Sequence, residues 1–211
     1  PAQVTLRNNR VEEVYTITEE GEYLLSEQFL SNKEEIIVDN EDSALFTLSV
    51  PPPSGYLEEW INKNSEEESF KYVGINEWRS PARWTMTTDQ NYYGESIRSA
   101  AIIRSGKGNQ YAEWKIPVPS AGRYELYYHV RRPEQLRREN RWGRKKYYYH
   151  FVVTSEADDY EAKAEINMRR ADDGWNLIDT YGLIGDTLVV RLTDESELNM
   201  ITADAVKLVK K

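Results

Sequence analysis

The densest concentration of chemistry-bearing side chains lies at residues 131–146, where eight Lys and Arg surround Trp142 and only Glu134 and Glu139 oppose them. Guanidinium forks suit carboxylate and sulfate groups, and an indole face stacks on a base or a sugar. Arg141, Trp142 and Arg144 therefore have the chemistry of an acidic-glycan or polyanion contact. The spacing fits no nucleic-acid motif, so nucleic acid is not the expected partner. A solvated loop between two strands is the structural alternative. A second chemistry comes from six Trp and fifteen Tyr, because a flat aromatic face matches the apolar face of a pyranose while neighbouring polar groups bond its hydroxyls. Trp78, Tyr92, Tyr93 and Trp142 stand in polar, loop-like sequence and are the candidate exposed platform. Trp114 and Trp175 sit where a β-sandwich core takes its large residues, and Trp84 is divided between the two roles.

Other chemistries lack components. Cysteine is absent, which removes thiol nucleophiles, Cys-based zinc sites and disulfides. The two histidines, His129 and His150, fall on neighbouring expected strands and could face each other, yet two are too few for a metal centre. Carboxylates are plentiful, but Glu66, Glu67, Glu68, Asp158, Asp159, Asp172 and Asp173 lie in turns or charge runs, and a working acid–base pair must be assembled across the fold. No catalytic residues are assigned and the chain is read as a non-enzyme. Asp39, Asn40 and Asp42, or Asp204, could hold a stiffening calcium, but no EF-hand-type loop is present. Asp39 and Asp204 are expected to bond backbone amides at strand ends, so the expectation is no cofactor.

The elements that must position these residues are strands. Over 211 residues, 39% hydrophobic and 30% charged, period-two runs occur at 14–17, 34–38, 111–116, 123–130, 146–154, 161–168, 187–192 and 204–209. Tyr124, Leu126, Tyr128 and Val130 form one apolar face, and Glu125, Tyr127, His129 and Arg131 point the other way. Tyr149, Phe151 and Val153 repeat the scheme. Gly106, Gly108, Gly122 and Gly174 supply the positive-φ positions of tight connections. This is the pattern of an antiparallel β-sandwich. One short helix is expected in an insertion after Pro51, Pro52 and Pro53, capped by Ser54 and striped by Tyr56, Leu57, Trp60 and Ile61. The net charge of −9 is uneven: residues 1–70 carry four basic against sixteen acidic side chains, net −12, and the remainder 23 against 20, net +3. Residues 1–33 are added strands or a connector, and 34–211 form the domain. No run reaches a membrane helix's length, and Pro1 opens into polar sequence without a basic-then-apolar leader.

An ordered succession then becomes specific: Ile36-Ile37-Val38-Asp39-Asn40, Trp84, Asn91-Tyr92-Tyr93-Gly94, Ala112-Glu113-Trp114-Lys115-Ile116-Pro117, Ala121-Gly122-Arg123-Tyr124-Glu125-Leu126, Trp175 through Tyr181, and Ala203-Asp204-Ala205-Val206-Lys207. It resembles the golvesin C-terminal-like domain, the carbohydrate-binding-like domain of xanthan lyases, over residues 34–211. The resemblance implies a jelly-roll sandwich serving as a non-catalytic accessory module that holds a glycan; the basic segment would favour an acidic one. It also implies a secreted, periplasmic or cell-surface bacterial protein. The alternatives are a structural domain packed on others of a longer chain, and polyanion binding through the basic segment. The insertion before Trp84 and the length of the basic segment depart from the family pattern.

Overall fold

The computed structural model describes residues 2–8, 11–17, 35–50, 72–75, 79–94, 96–137, 146–155 and 160–211. The expected helix after Pro53 and the candidates Trp78, Arg141, Trp142 and Arg144 lie outside the described residues. The chain divides into two compact units, Pro1–Glu34 and Glu35–Lys211. In the first, β1 (Ala2–Asn8) and β2 (Val11–Ile17) form an antiparallel pair running from Asn8 opposite Val11 to Ala2 opposite Ile17.

The second unit is almost entirely β, as the alternation predicts. One five-stranded antiparallel sheet contains, in spatial order, β11 (Tyr160–Asn167), β10 (Tyr148–Ser155), β13 (Asp186–Thr193), β8 (Tyr111–Val118) and β4 (Phe46–Leu48). A four-stranded antiparallel sheet runs β12 (Gly174–Leu183), β9 (Gly122–Val130), β15 (Val206–Lys210), β3 (Glu35–Val38). A smaller sheet runs β14 (Met200–Ala203), β7 (Ser99–Arg104), β6 (Thr85–Thr88), β5 (Tyr72–Val73), the last pair parallel.

The two larger sheets close on one another through the faces read from period two. Tyr124, Leu126, Tyr128 and Val130 of β9 and Tyr149, Phe151 and Val153 of β10 are all buried. Tyr128 sits 5.2 Å from Phe151 and 6.1 Å from Trp114, both edge-on, the aromatic geometry that rings prefer over a face-to-face sandwich. Each such side chain contributes about 1.5–3 kcal/mol on burial. The polar tips stay satisfied: Tyr128 Oη donates to the Thr202 carbonyl, and Trp114 Nε1 donates to the Asp204 carbonyl at 3.2 Å.

Three expectations are corrected. Gly108 and Gly174 do take positive φ, at 82° and 97°, but Gly106 and Gly122 do not, and Gly122 simply begins β9. His129 and His150 are not neighbours, because β9 and β10 belong to different sheets. Each instead meets a carboxylate, His129 with Asp204 at 2.9 Å and His150 with Glu165 at 3.1 Å. The basic segment is not all loop: α1 (Glu134–Arg137) is a single turn, and the three described arginines of the segment are committed. Arg131 pairs with Asp89 at 3.0 Å, Arg137 with Asp173 at 2.9 Å, and Arg132 donates to the carbonyls of Leu136 and Arg169.

Candidate functional site

Each large sheet has one face left over after the core is filled, and the two outer faces differ in kind. Across the five-stranded sheet, strand register aligns Lys163, Val152, Arg191, Glu113 and Thr47. Arg191 Nε meets Glu113 at 2.6 Å, so this face is a self-paired charged surface. Across the four-stranded sheet the corresponding row reads Leu177, Tyr127, Lys207, Ile37, from β12 to β3. Four strands at their usual spacing extend this row over roughly 14 Å. Leu177 is half exposed. The Lys207 ammonium lies 4.9 Å from the Trp175 ring centroid and 5.5 Å from that of Tyr127, and 3.5 Å from Glu35. The lysine thus bridges two aromatic rings and a carboxylate.

Above this row, Trp175 of β12 pairs with His129 of β9. Tyr93 completes a three-ring cluster, 5.2 Å from Trp175 and 5.7 Å from His129, with Trp175 and His129 themselves 5.0 Å apart. The anchor beneath them is Asp204, whose side chain is wholly buried. Its carboxylate accepts from His129 Nδ1 and from the Tyr93 amide at 3.2 Å. Burial pushes this carboxyl up to about 6, against the lowering effect of His129 and the Tyr93 amide.

An open pocket of about 470 Å³ adjoins the row at β3, lined by Glu35, Ile37, Asp39, Glu41, Asp42, Tyr93, Ser96 and Ile97. Its carboxylates also organise the wall. Asp39 Oδ1 accepts the Asn40 amide at 2.7 Å, Asp42 accepts the Asp39 amide at 2.8 Å, and Glu41 accepts from Tyr72 and Ser99 hydroxyls. Half-buried Asp39 is pushed up to about 7, chiefly by burial and then by Asp204, Asp42 and Glu41, although the Asn40 amide pulls it down. Asp39 and Asp204 therefore bond backbone amides, as strand-end Asx residues do. Among the described residues no group of three or more His, Cys, Asp or Glu is placed to hold a metal ion.

Of the candidate platform residues, Tyr93 reaches this site and Tyr92 does not. Asp89 turns the loop by accepting the Asn91 amide through its side chain and the Tyr92 amide through its carbonyl. Consecutive tyrosines then point oppositely, and Tyr92 is only 2% exposed, with the Arg131 guanidinium 5.7 Å from its ring. Trp175 corrects a second expectation: it is half-buried on the outer face rather than in the core, whereas Trp114 is fully buried as expected. Trp84 packs partly buried against the core. Tyr127, His129 and Lys207 were readable only as residues opposite an apolar face, because their grouping depends on which strands lie beside β9.

The Golvesin C-terminal domain family matches residues 73–210, well over half the chain, and the chain belongs to that family. A xanthan lyase from Paenibacillus shares the fold with a TM-score of 0.50 at 24% identity, covering 84% of this chain and 13% of the lyase. This chain thus corresponds to a small part of that protein. The CBM35 of Cellvibrio japonicus Abf62 aligns over 61% of this chain and 85% of its own at 16% identity, with a TM-score of 0.36. No curated protein matches the sequence. Among the described residues no helix is long and apolar enough to cross a membrane.

Proposed function

We propose that this domain is a non-catalytic carbohydrate-binding module of a secreted or envelope-associated bacterial protein. It holds a glycan on the outer face of the β12-β9-β15-β3 sheet. The observation that carries the reading is the pairing of Tyr93 and Trp175 at 5.2 Å beside an open polar pocket. Rings supply apolar faces for a pyranose, and carboxylates supply acceptors for its hydroxyls. Membership of the Golvesin C-terminal domain family and the fold shared with part of a xanthan lyase support it. Holding rather than turnover is favoured because Glu35, Asp39, Glu41 and Asp42 already serve Lys207, backbone amides or hydroxyls of the wall.

The test is a glycan array at high protein concentration followed by titration of the intrinsic fluorescence, with Tyr93→Ala and Trp175→Ala alongside. Each variant is expected to lose about tenfold in affinity, near 1.4 kcal/mol, with an unchanged circular dichroism spectrum. Saturable binding that survives both substitutions, or a folded protein that binds no glycan, refutes the site.

A further inference from the structure

The pocket and the aromatic row do not treat all glycans alike, because their charges are distributed unevenly. Among the described residues, four carboxylates line the pocket, those of Glu35, Asp39, Glu41 and Asp42, and no Lys or Arg does. Glu35 is matched by Lys207 at 3.5 Å, and that ammonium also lies over Trp175 and Tyr127. Behind the wall stands a fifth carboxylate, Asp204, bonded to His129. The cations of residues 131–137 are spent elsewhere, on Asp89, Asp173 and backbone carbonyls.

We propose that this site selects by charge, admitting a glycan without acidic groups, its hydroxyls donating to the pocket carboxylates, and rejecting glycans bearing carboxylate or sulfate. The proposal rests on the glycan-binding reading above. It also runs opposite to the expectation from the basic segment, where acidic glycans would be favoured.

A carboxylate has about four acceptor positions and no donor, so it is satisfied by hydroxyl or ammonium hydrogens and not by another anion. Repulsion between like charges is strong where protein and bound sugar exclude water, and among the described residues the cation bonded to this wall, Lys207, is already engaged by Glu35. The half-burial of Asp39 shows the cost already present: desolvation first, and after it the charges of Asp204, Asp42 and Glu41, hold it up to about 7. A further anion would raise that cost, and donor hydroxyls lower it. Charge-assisted hydrogen bonds from hydroxyls gain strength when Asp39 is ionised, so affinity is expected to rise several-fold from pH 5.5 to pH 8. The groups facing Asp39 are Glu41 and Asp42 on its own turn and Asp204 after β14, with His129 of β9 on the far side of Asp204.

The experiment uses the full chain and three backbones in matched forms: dextran and dextran sulfate, hydroxyethyl cellulose and carboxymethyl cellulose, and glycol chitin with carboxymethyl chitin and, as the amino form, chitosan oligomers. The quantity compared is the part of each affinity that Tyr93→Ala abolishes. For whichever backbone binds, the uncharged form is expected to exceed its anionic partner at least tenfold, with the gap shrinking in added salt. The amino form should bind as well as the neutral form or better. Asp39→Asn combined with Asp42→Asn should narrow the gap to within a few-fold. Equal or tighter Tyr93-dependent binding of the sulfated or carboxymethyl form overturns charge selection and leaves the module reading intact. If no form shows Tyr93-dependent binding, both readings fall together.

Discussion

Trp114→Ala is expected to lower the free energy of unfolding by about 3–5 kcal/mol, the range for deleting a large buried aromatic. The ring lies at the centre of the sandwich, fully buried on β8, 5.4 Å from Phe46 and 6.1 Å from Tyr128. Its removal opens a cavity between sheets whose strands are fixed by register and cannot easily collapse into it. The substitution also leaves the buried Asp204 carbonyl without its indole donor, an unsatisfied polar group that adds to the cost. Because the same residue's carboxylate holds the Tyr93 amide, the damage should extend to the ligand face. Urea denaturation followed by circular dichroism measures it, with Trp114→Phe as a control that keeps most of the packing and loses the hydrogen bond. A loss below about 1 kcal/mol for the alanine variant would mean that the two sheets do not close on this ring.

Asp39→Asn is expected to act in the opposite direction and only above mildly acidic pH. The folded-state value of Asp39 is raised from 3.8 to about 7. Stability associated with the protonated form is therefore complete below 3.8 and is lost as pH climbs through about 7. The full shift would correspond to about 4 kcal/mol, but the group is only half-buried and solvent screening reduces this to about 1–2 kcal/mol. Asparagine carries no charge to desolvate and its side-chain oxygen can still accept the Asn40 amide. The variant should match the parent near pH 4 and exceed it by about 1–2 kcal/mol at pH 8. Asp204, raised to about 6, imposes a similar fall between 3.8 and 6 and remains in the variant, so the pH slope is reduced and not abolished. A stability difference that is the same at pH 4 and pH 8 would contradict this account. Together with the loss of charge selection expected when Asp39 and Asp42 are both replaced by Asn, a gain in stability would mark Asp39 as a residue kept at a thermodynamic cost for the pocket.

How much of this was legible beforehand differs between core and site. The alternation of β9 and β10 identified Tyr124, Leu126, Tyr128, Val130, Tyr149, Phe151 and Val153 as inward, and all are buried. Period two is a property of one strand read alone, so it survives without knowledge of neighbours. β12 escaped the pattern search because its alternation is broken: a register shift between Leu177 and Asp179 moves the later residues out of phase. With β12 unread, Trp175 had no partner strand and was assigned to the core. Tyr92 and Tyr93 could not be told apart by composition, since both stand in the same polar loop, and only the Asp89 turn and the Asp204 acceptor separate them.

Side-chain type and local period were enough to establish that the domain is built of antiparallel strands, which faces of β9 and β10 are buried, and that thiol chemistry is absent. The sequence also carried the ordered motifs that mark the Golvesin C-terminal domain family. Tertiary structure alone decided that Leu177, Tyr127, Lys207 and Ile37 form one row, that Trp175 meets Tyr93, and that an acidic pocket stands beside them. Those residues are far apart in the chain, and their meeting depends on strand order and register, which are set by the packing of the whole sandwich and not by any local stretch.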